Sequence, residues 1–113
     1  MSQQSPSDVP ARLREVARLV READHLDPEA QQSLADLAEQ MADNLSRAHA
    51  PTPEEAELGK LAGELIDALH REEKPATGTR HRLQEAIVAA ETRAPLAAAT
   101  ARELLDVIAS LGI

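Results

Sequence analysis

The sequence predicts an all-α fold: an antiparallel helical hairpin, a third helix and a long C-terminal helix kinked at a proline, packed as a small bundle. Three observations carry that expectation. Ala, Leu, Glu and Arg dominate while β-branched residues are scarce, and the former lose little rotamer freedom in a helix. Apolar residues recur at spacings of three and four, which places them on one side of a helix. Asp27-Pro28 and Thr52-Pro53 each set a capping side chain directly before a proline, the arrangement of a helix start.

The first residues, 1–7, carry Ser2, Gln3, Gln4, Ser5 and Pro6 and too little apolar surface to offset their ordering entropy, so a disordered tail is expected there. Residues 8–113 are expected to form one helical domain. The first helix, about 8–23, has Val9, Leu13, Val16 and Val20 on one stripe, widened by Ala17 and Ala23. Asp27, Pro28 and Glu29 then start the second, about 28–47, with Leu34, Leu37, Ala38, Met41 and Leu45 as its stripe. So short a connection makes an antiparallel pair of the two.

Thr52, Pro53 and Glu55 form the pattern of a capping box and open the third helix, about 53–73, with the stripe Leu58, Leu61, Ala62, Leu65, Ala68 and Leu69. Gly59 and Gly63 flank it. Each costs about 1 kcal/mol against alanine inside a helix, so their spacing suggests a groove for a neighbouring helix, the alternative being two tolerated glycines. After the polar turn Glu72 to Gly78, Thr79 is the expected cap of the last helix.

In that last stretch Leu83, Ile87, Ala90, Ala94, Ala97, Ala101, Leu104, Ile108 and Leu111 keep one heptad phase, with Pro95 in its middle. A proline ordinarily ends a helix. Ala94 is a poor cap, however, and the phase does not change, so one kinked helix over about 79–110 is expected, with a break at 95 into two helices as the alternative. Gly112 would serve as its C-cap.

With those elements placed, the sequence resembles a small bacterial helical family catalogued as domain of unknown function 4404. The resemblance covers roughly residues 11–45 and 80–113. Leu13-Arg14-Glu15 and Leu26-Asp27-Pro28-Glu29 carry it near the start, and Arg82-Leu83-Gln84-Glu85-Ala86-Ile87, Glu91, Pro95-Leu96 and Leu111-Gly112-Ile113 carry it at the end. Ala89 and Ala90 stand where the family tends to have an aromatic, and residues 48–78 form a longer middle section. The resemblance implies a small cytoplasmic helical protein and no particular chemistry.

Composition narrows the function. Without Cys, Phe, Tyr or Trp the chain has no disulfide, thiolate site or aromatic platform for single-stranded nucleic acid. A net charge of −8 opposes nucleic acid and anionic membrane as partners. The acid is concentrated in residues 24–73, with 13 acidic against 3 basic side chains, as a solvated face or, alternatively, a docking surface for a basic protein partner. The polar start and the lack of a long apolar run lead us to expect a cytoplasmic protein.

No phosphate loop, nucleophile elbow or zinc motif occurs, so neither an enzyme nor a cofactor or metal site is expected. His70 follows Asp67 by one helical turn, but a di-metal bundle needs further Glu and His pairs from other helices. Arg14, Arg18 and Arg21 on the first helix could grip a phosphate. Pairing with Glu29, Asp36, Glu39 or Asp43 across the hairpin is the stronger expectation. The apolar side of residues 96–112 is wide, and a surface helix needs only about 100°. This helix must be covered on two sides, either centrally within its own bundle or partly by another chain, and a homodimer is the stronger expectation, with Leu96, Ala97, Ala98, Ala101, Leu104, Leu105, Ile108 and Leu111 at its interface.

Overall fold

The computed structural model describes residues 8–46, 52–71 and 78–111, which form five helices and no strand. These are α1 (Asp8–Arg21), α2 (Pro28–Leu45), α3 (Pro53–His70), α4 (Thr79–Ala90) and α5 (Pro95–Ser110). The expected tail at 1–7 and the Gly112 cap lie outside the described residues. All five helices contribute to one hydrophobic core.

The starts of α2 and α3 follow from their caps. Asp27 accepts hydrogen bonds from the backbone N–H groups of Glu29 (3.1 Å) and Ala30 (3.4 Å), ahead of Pro28. At α3, Thr52 Oγ1 accepts from the Glu55 N–H at 3.2 Å and the Glu55 carboxylate accepts from the Thr52 N–H at 2.8 Å. Two otherwise orphaned donors are thereby satisfied reciprocally.

The start of α4 differs from the expected one. Gly78, not Thr79, is its N-cap, with φ 88°, and Thr79 is already helical and buried. Glycine reaches this left-handed backbone without the Cβ clash that other residues meet.

The expected single kinked helix over 79–110 is two helices, separated at residues 91–94. Ala94 takes φ −139° and ψ 67°, away from the helical region, as sterics demand of a residue before proline. Its N–H still closes onto the Ala90 carbonyl at 2.7 Å and its carbonyl accepts from Ala98 at 2.9 Å, so little hydrogen bonding is lost. Pro95 then occupies the first turn of α5, where a missing N–H leaves no partner unserved. The apolar phase survives because Leu83, Ile87, Ala90, Ala94, Ala97, Ala101, Leu104 and Ile108 are all buried in the same core.

Helix α3 packs on α1, α2, α4 and α5, which explains why Gly59, Gly63 and Ile66 are buried alongside its leucine stripe. The close approach expected at the glycines is concentrated at one of them. A Cβ on Gly59 would lie 2.5 Å from Val9 Cγ1 and 2.6 Å from Leu45 Cδ1, whereas one on Gly63 would meet only Leu13 Cδ2 at 3.6 Å. Helix α5 packs on α2, α3 and α4. Between α2 and α5, buried Thr100 accepts hydrogen bonds from Asn44 (2.9 Å) and Gln40 (3.3 Å) and donates to the Leu96 carbonyl at 3.0 Å.

Candidate interaction surfaces

The eight residues expected at a dimer interface do not share a face. Ala97, Ala98, Ala101, Leu104 and Ile108 lie in the core of the chain itself, covered by α2, α3 and α4. This corrects the expected interface for those five residues, since the wide apolar side of α5 is used within the bundle. Leu105 and Leu111 are partly buried against that core, and Leu96 is 60% exposed. Nine residues separate Leu96 from Leu105, which at 3.6 residues per turn sets them on opposite edges of α5, about 180° apart.

One of those edges borders a groove. Gln84, Ile87 and Val88 from α4 and Arg102, Leu105 and Asp106 from α5 line a depression of about 310 Å³. Val88 is 66% exposed and, with Leu96, is one of two large apolar side chains so exposed among the described residues. Arg102 reaches across to the Glu91 carboxylate and so ties α5 to the segment that precedes it. Val88 carried no signal in the sequence reading because it lies off the heptad seam.

A second, smaller slot of about 240 Å³ lies between α3 and α4, lined by Pro53, Glu54, Glu57, Ala86 and Ala89. The slot is apolar on the α4 side and acidic on the α3 side. Glu54 Oε2 is 3.9 Å from Arg93 Nη1, while Glu54 Oε1 is buried without a hydrogen-bond partner. Both acids were legible only as members of an acidic stretch.

The arginines of α1 are taken up by acids of the chain itself. Arg14 Nη2 lies 3.0 Å from Asp43, and Arg21 reaches Glu39 at 2.6 Å and Asp36 at 3.1 Å, as the charge pattern suggested. Arg18 pairs instead with Glu22 on its own helix at 3.5 Å. The hydrogen bond from Arg21 is the main cause that holds the Glu39 carboxyl below its usual range, and Glu39 in turn raises Arg21. Each of the three arginines thus has a carboxylate partner within the chain.

At Asp67 and His70, Oδ2 of Asp67 is 3.1 Å from Arg71 Nε and 3.7 Å from Arg12 Nη2. Two guanidinium groups thus stand on the carboxylate that a cation would need, and no group of three or more potential metal ligands occurs among the described residues. None of their helices is long and apolar enough to cross a membrane.

Gln31 is a structural residue that the sequence reading missed. Its side-chain amide lies 2.8 Å from the Val20 carbonyl, 2.7 Å from that of Arg21 and 2.7 Å from that of Ala23. Its two N–H groups therefore serve carbonyls at the end of α1, of which that of Val20 also accepts from the Ala23 N–H at 3.1 Å. His25 Nε2 is 3.0 Å from the Leu69 carbonyl and fastens the same turn to the end of α3.

Compared with models of known protein families, with curated proteins and with solved structures, the chain matches none.

Proposed function

We propose that this is a non-catalytic, cytoplasmic interaction module that self-associates as a homodimer, and that its contact surface is the groove between α4 and α5. The observation that carries the reading is Val88, exposed beside Leu105 in a groove whose rim holds both Arg102 and Asp106. An apolar centre with both signs of charge around it can pair with itself across a two-fold axis. A stable interface needs roughly 1,000 Å² or more in total, so the neighbouring outer surfaces of both helices take part.

The same proposal takes α1 and α2 as an antiparallel hairpin, supported by the pairing of Arg14 with Asp43 and of Arg21 with Asp36 and Glu39. Membership of the family of domain of unknown function 4404 is part of it too, on the residues that carry that resemblance. The test is sedimentation equilibrium over a wide concentration range. Wild type is expected to be dimeric and Val88→Glu monomeric with unchanged helicity, because the exposed Val88 position tolerates charge within the monomer. Wild-type protein that stays monomeric at high micromolar concentration refutes the reading.

A second reading, an acidic regulator of a basic protein partner, is favoured by the slot between α3 and α4, where Glu54 has a buried oxygen without a donor. It predicts capture of basic proteins that is lost as salt is raised.

A further inference from the structure

We propose that two copies of the chain pair antiparallel along the outer face of α5, with Arg102 of each against Asp106 of the partner subunit. The inference rests on the homodimer proposed above and assigns its orientation and register.

Ala99, Arg102, Asp106 and Ala109 are all exposed, and their spacings of three, four and three set them on one stripe of α5. The stripe is balanced about the level of Leu104, with Arg102 and Asp106 two residues to either side of it and Ala99 and Ala109 five. Its two halves match in size and oppose in charge. A two-fold axis perpendicular to α5 at that level reverses the helix, so it sets Arg102 level with the partner subunit's Asp106 at both ends of the contact. The same axis sets Ala99 level with the partner subunit's Ala109, and these small side chains let the two helices approach. A two-fold axis parallel to α5 would instead set arginine on arginine and aspartate on aspartate, which repel.

Contacts within the chain leave both charges available. Arg102 stands one turn from Asp106 and yet turns its Nη2 to Glu91, so Asp106 has no ion-pair partner among the described residues. The guanidinium has five N–H donors in all, and the Arg102 side chain is 55% exposed, so it can serve a second carboxylate without releasing Glu91. Both residues belong to the rim of the groove that holds Val88 and Leu105, and the stripe and the groove are therefore one continuous surface.

Sedimentation equilibrium of charge-reversed full chains tests the register. Asp106→Arg should weaken dimerisation about tenfold, because like charges replace opposite ones at both ends of the contact. In a chain of net charge −8 this substitution removes a negative charge and adds a positive one, so an effect of overall charge would run the other way. Arg102→Asp should also weaken the dimer. Combining Arg102→Asp with Asp106→Arg places aspartate against arginine again and should regain most of the wild-type affinity.

A wild-type dimer that Asp106→Arg leaves intact, or a double variant no tighter than Asp106→Arg alone, would overturn the register while the homodimer stands. Wild-type protein that stays monomeric would sink both. Circular dichroism accompanies each variant, since Arg102→Asp gives up the contact to Glu91. Should that substitution unfold the chain, Asp106→Arg still decides the matter, because the Asp106 side chain makes no ion pair or hydrogen bond among the described residues that its loss could break.

Discussion

Replacing Gly59 and Gly63 by alanine, one at a time, should move stability in different directions although the two substitutions are chemically identical. Both glycines sit inside α3 and are buried. Each replacement gains about 1 kcal/mol of helix propensity. At Gly63 the new methyl group meets only Leu13 Cδ2, at 3.6 Å, which is ordinary contact, and burying it adds up to about 0.8 kcal/mol. Gly63→Ala should therefore stabilise by roughly 1 to 1.5 kcal/mol, equivalent to a rise in Tm of roughly 4 to 10 °C for a domain of this size.

At Gly59 the same gains are opposed by contacts of 2.5 Å to Val9 Cγ1 and 2.6 Å to Leu45 Cδ1. Carbon pairs prefer about 3.5 to 4.0 Å, so each neighbour must retreat by about 1 Å. Leu45 can turn its terminal methyl aside, but the β-branched Val9 is held near one χ1 rotamer in its helix. Overpacking of this kind costs about 1 to 3 kcal/mol, leaving Gly59→Ala somewhere between neutral and about 2 kcal/mol less stable than wild type. Urea unfolding followed by far-UV circular dichroism measures both, since the chain has no Trp or Tyr to report by fluorescence. Val9→Ala in the Gly59→Ala background should restore part of the loss, as a double-mutant cycle. Equal stabilisation by the two alanines would show that Val9 and Leu45 do not close on Gly59, and the packing of α1 and α2 on α3 would have to be redrawn.

Gln31→Glu should destabilise by about 1 to 3 kcal/mol in urea melts at neutral pH, because a carboxylate replaces the donors that face the Val20, Arg21 and Ala23 carbonyls. A neutral result would mean that water caps the end of α1 equally well. Pro95→Ala should lower stability by about 0.5 to 1 kcal/mol, through the added freedom of the unfolded chain, because Pro95 already fits the first turn of α5; a clear gain in helicity and Tm would favour a continuous helix instead. Glu39 should titrate below the usual glutamate range by carbon-13 NMR and return to that range in Arg21→Met. A carboxyl whose folded value is lowered binds its proton less readily in the folded state, so its contribution is complete above the unfolded value and vanishes as pH falls through the folded one. Arg21→Met should thus flatten the acid limb of the stability profile, by less than about 1 kcal/mol because the pair is exposed to solvent.

The local chemistry of the chain determined a good part of what is seen. Asp27, Thr52 and Glu55 announce the starts of α2 and α3 because caps act over three residues and need no distant partner. The apolar spacing marked the buried side of every helix, and Arg14 and Arg21 of α1 announced their acidic partners on α2. Tertiary structure decided the rest. Phase alone could not distinguish one helix from two at Pro95, because either arrangement keeps Leu83 to Ile108 facing one core; the backbone of Ala94 made the distinction. Nor could a wide apolar side on α5 say who covers it, and α2, α3 and α4 do so within the chain for most of its length. The slot beside Glu54 and the triple carbonyl contact of Gln31 were invisible for the same reason. Each joins residues whose sequence neighbours say nothing of the other helix, and only the packing of α3 on α4, and of α2 on the end of α1, brings them together.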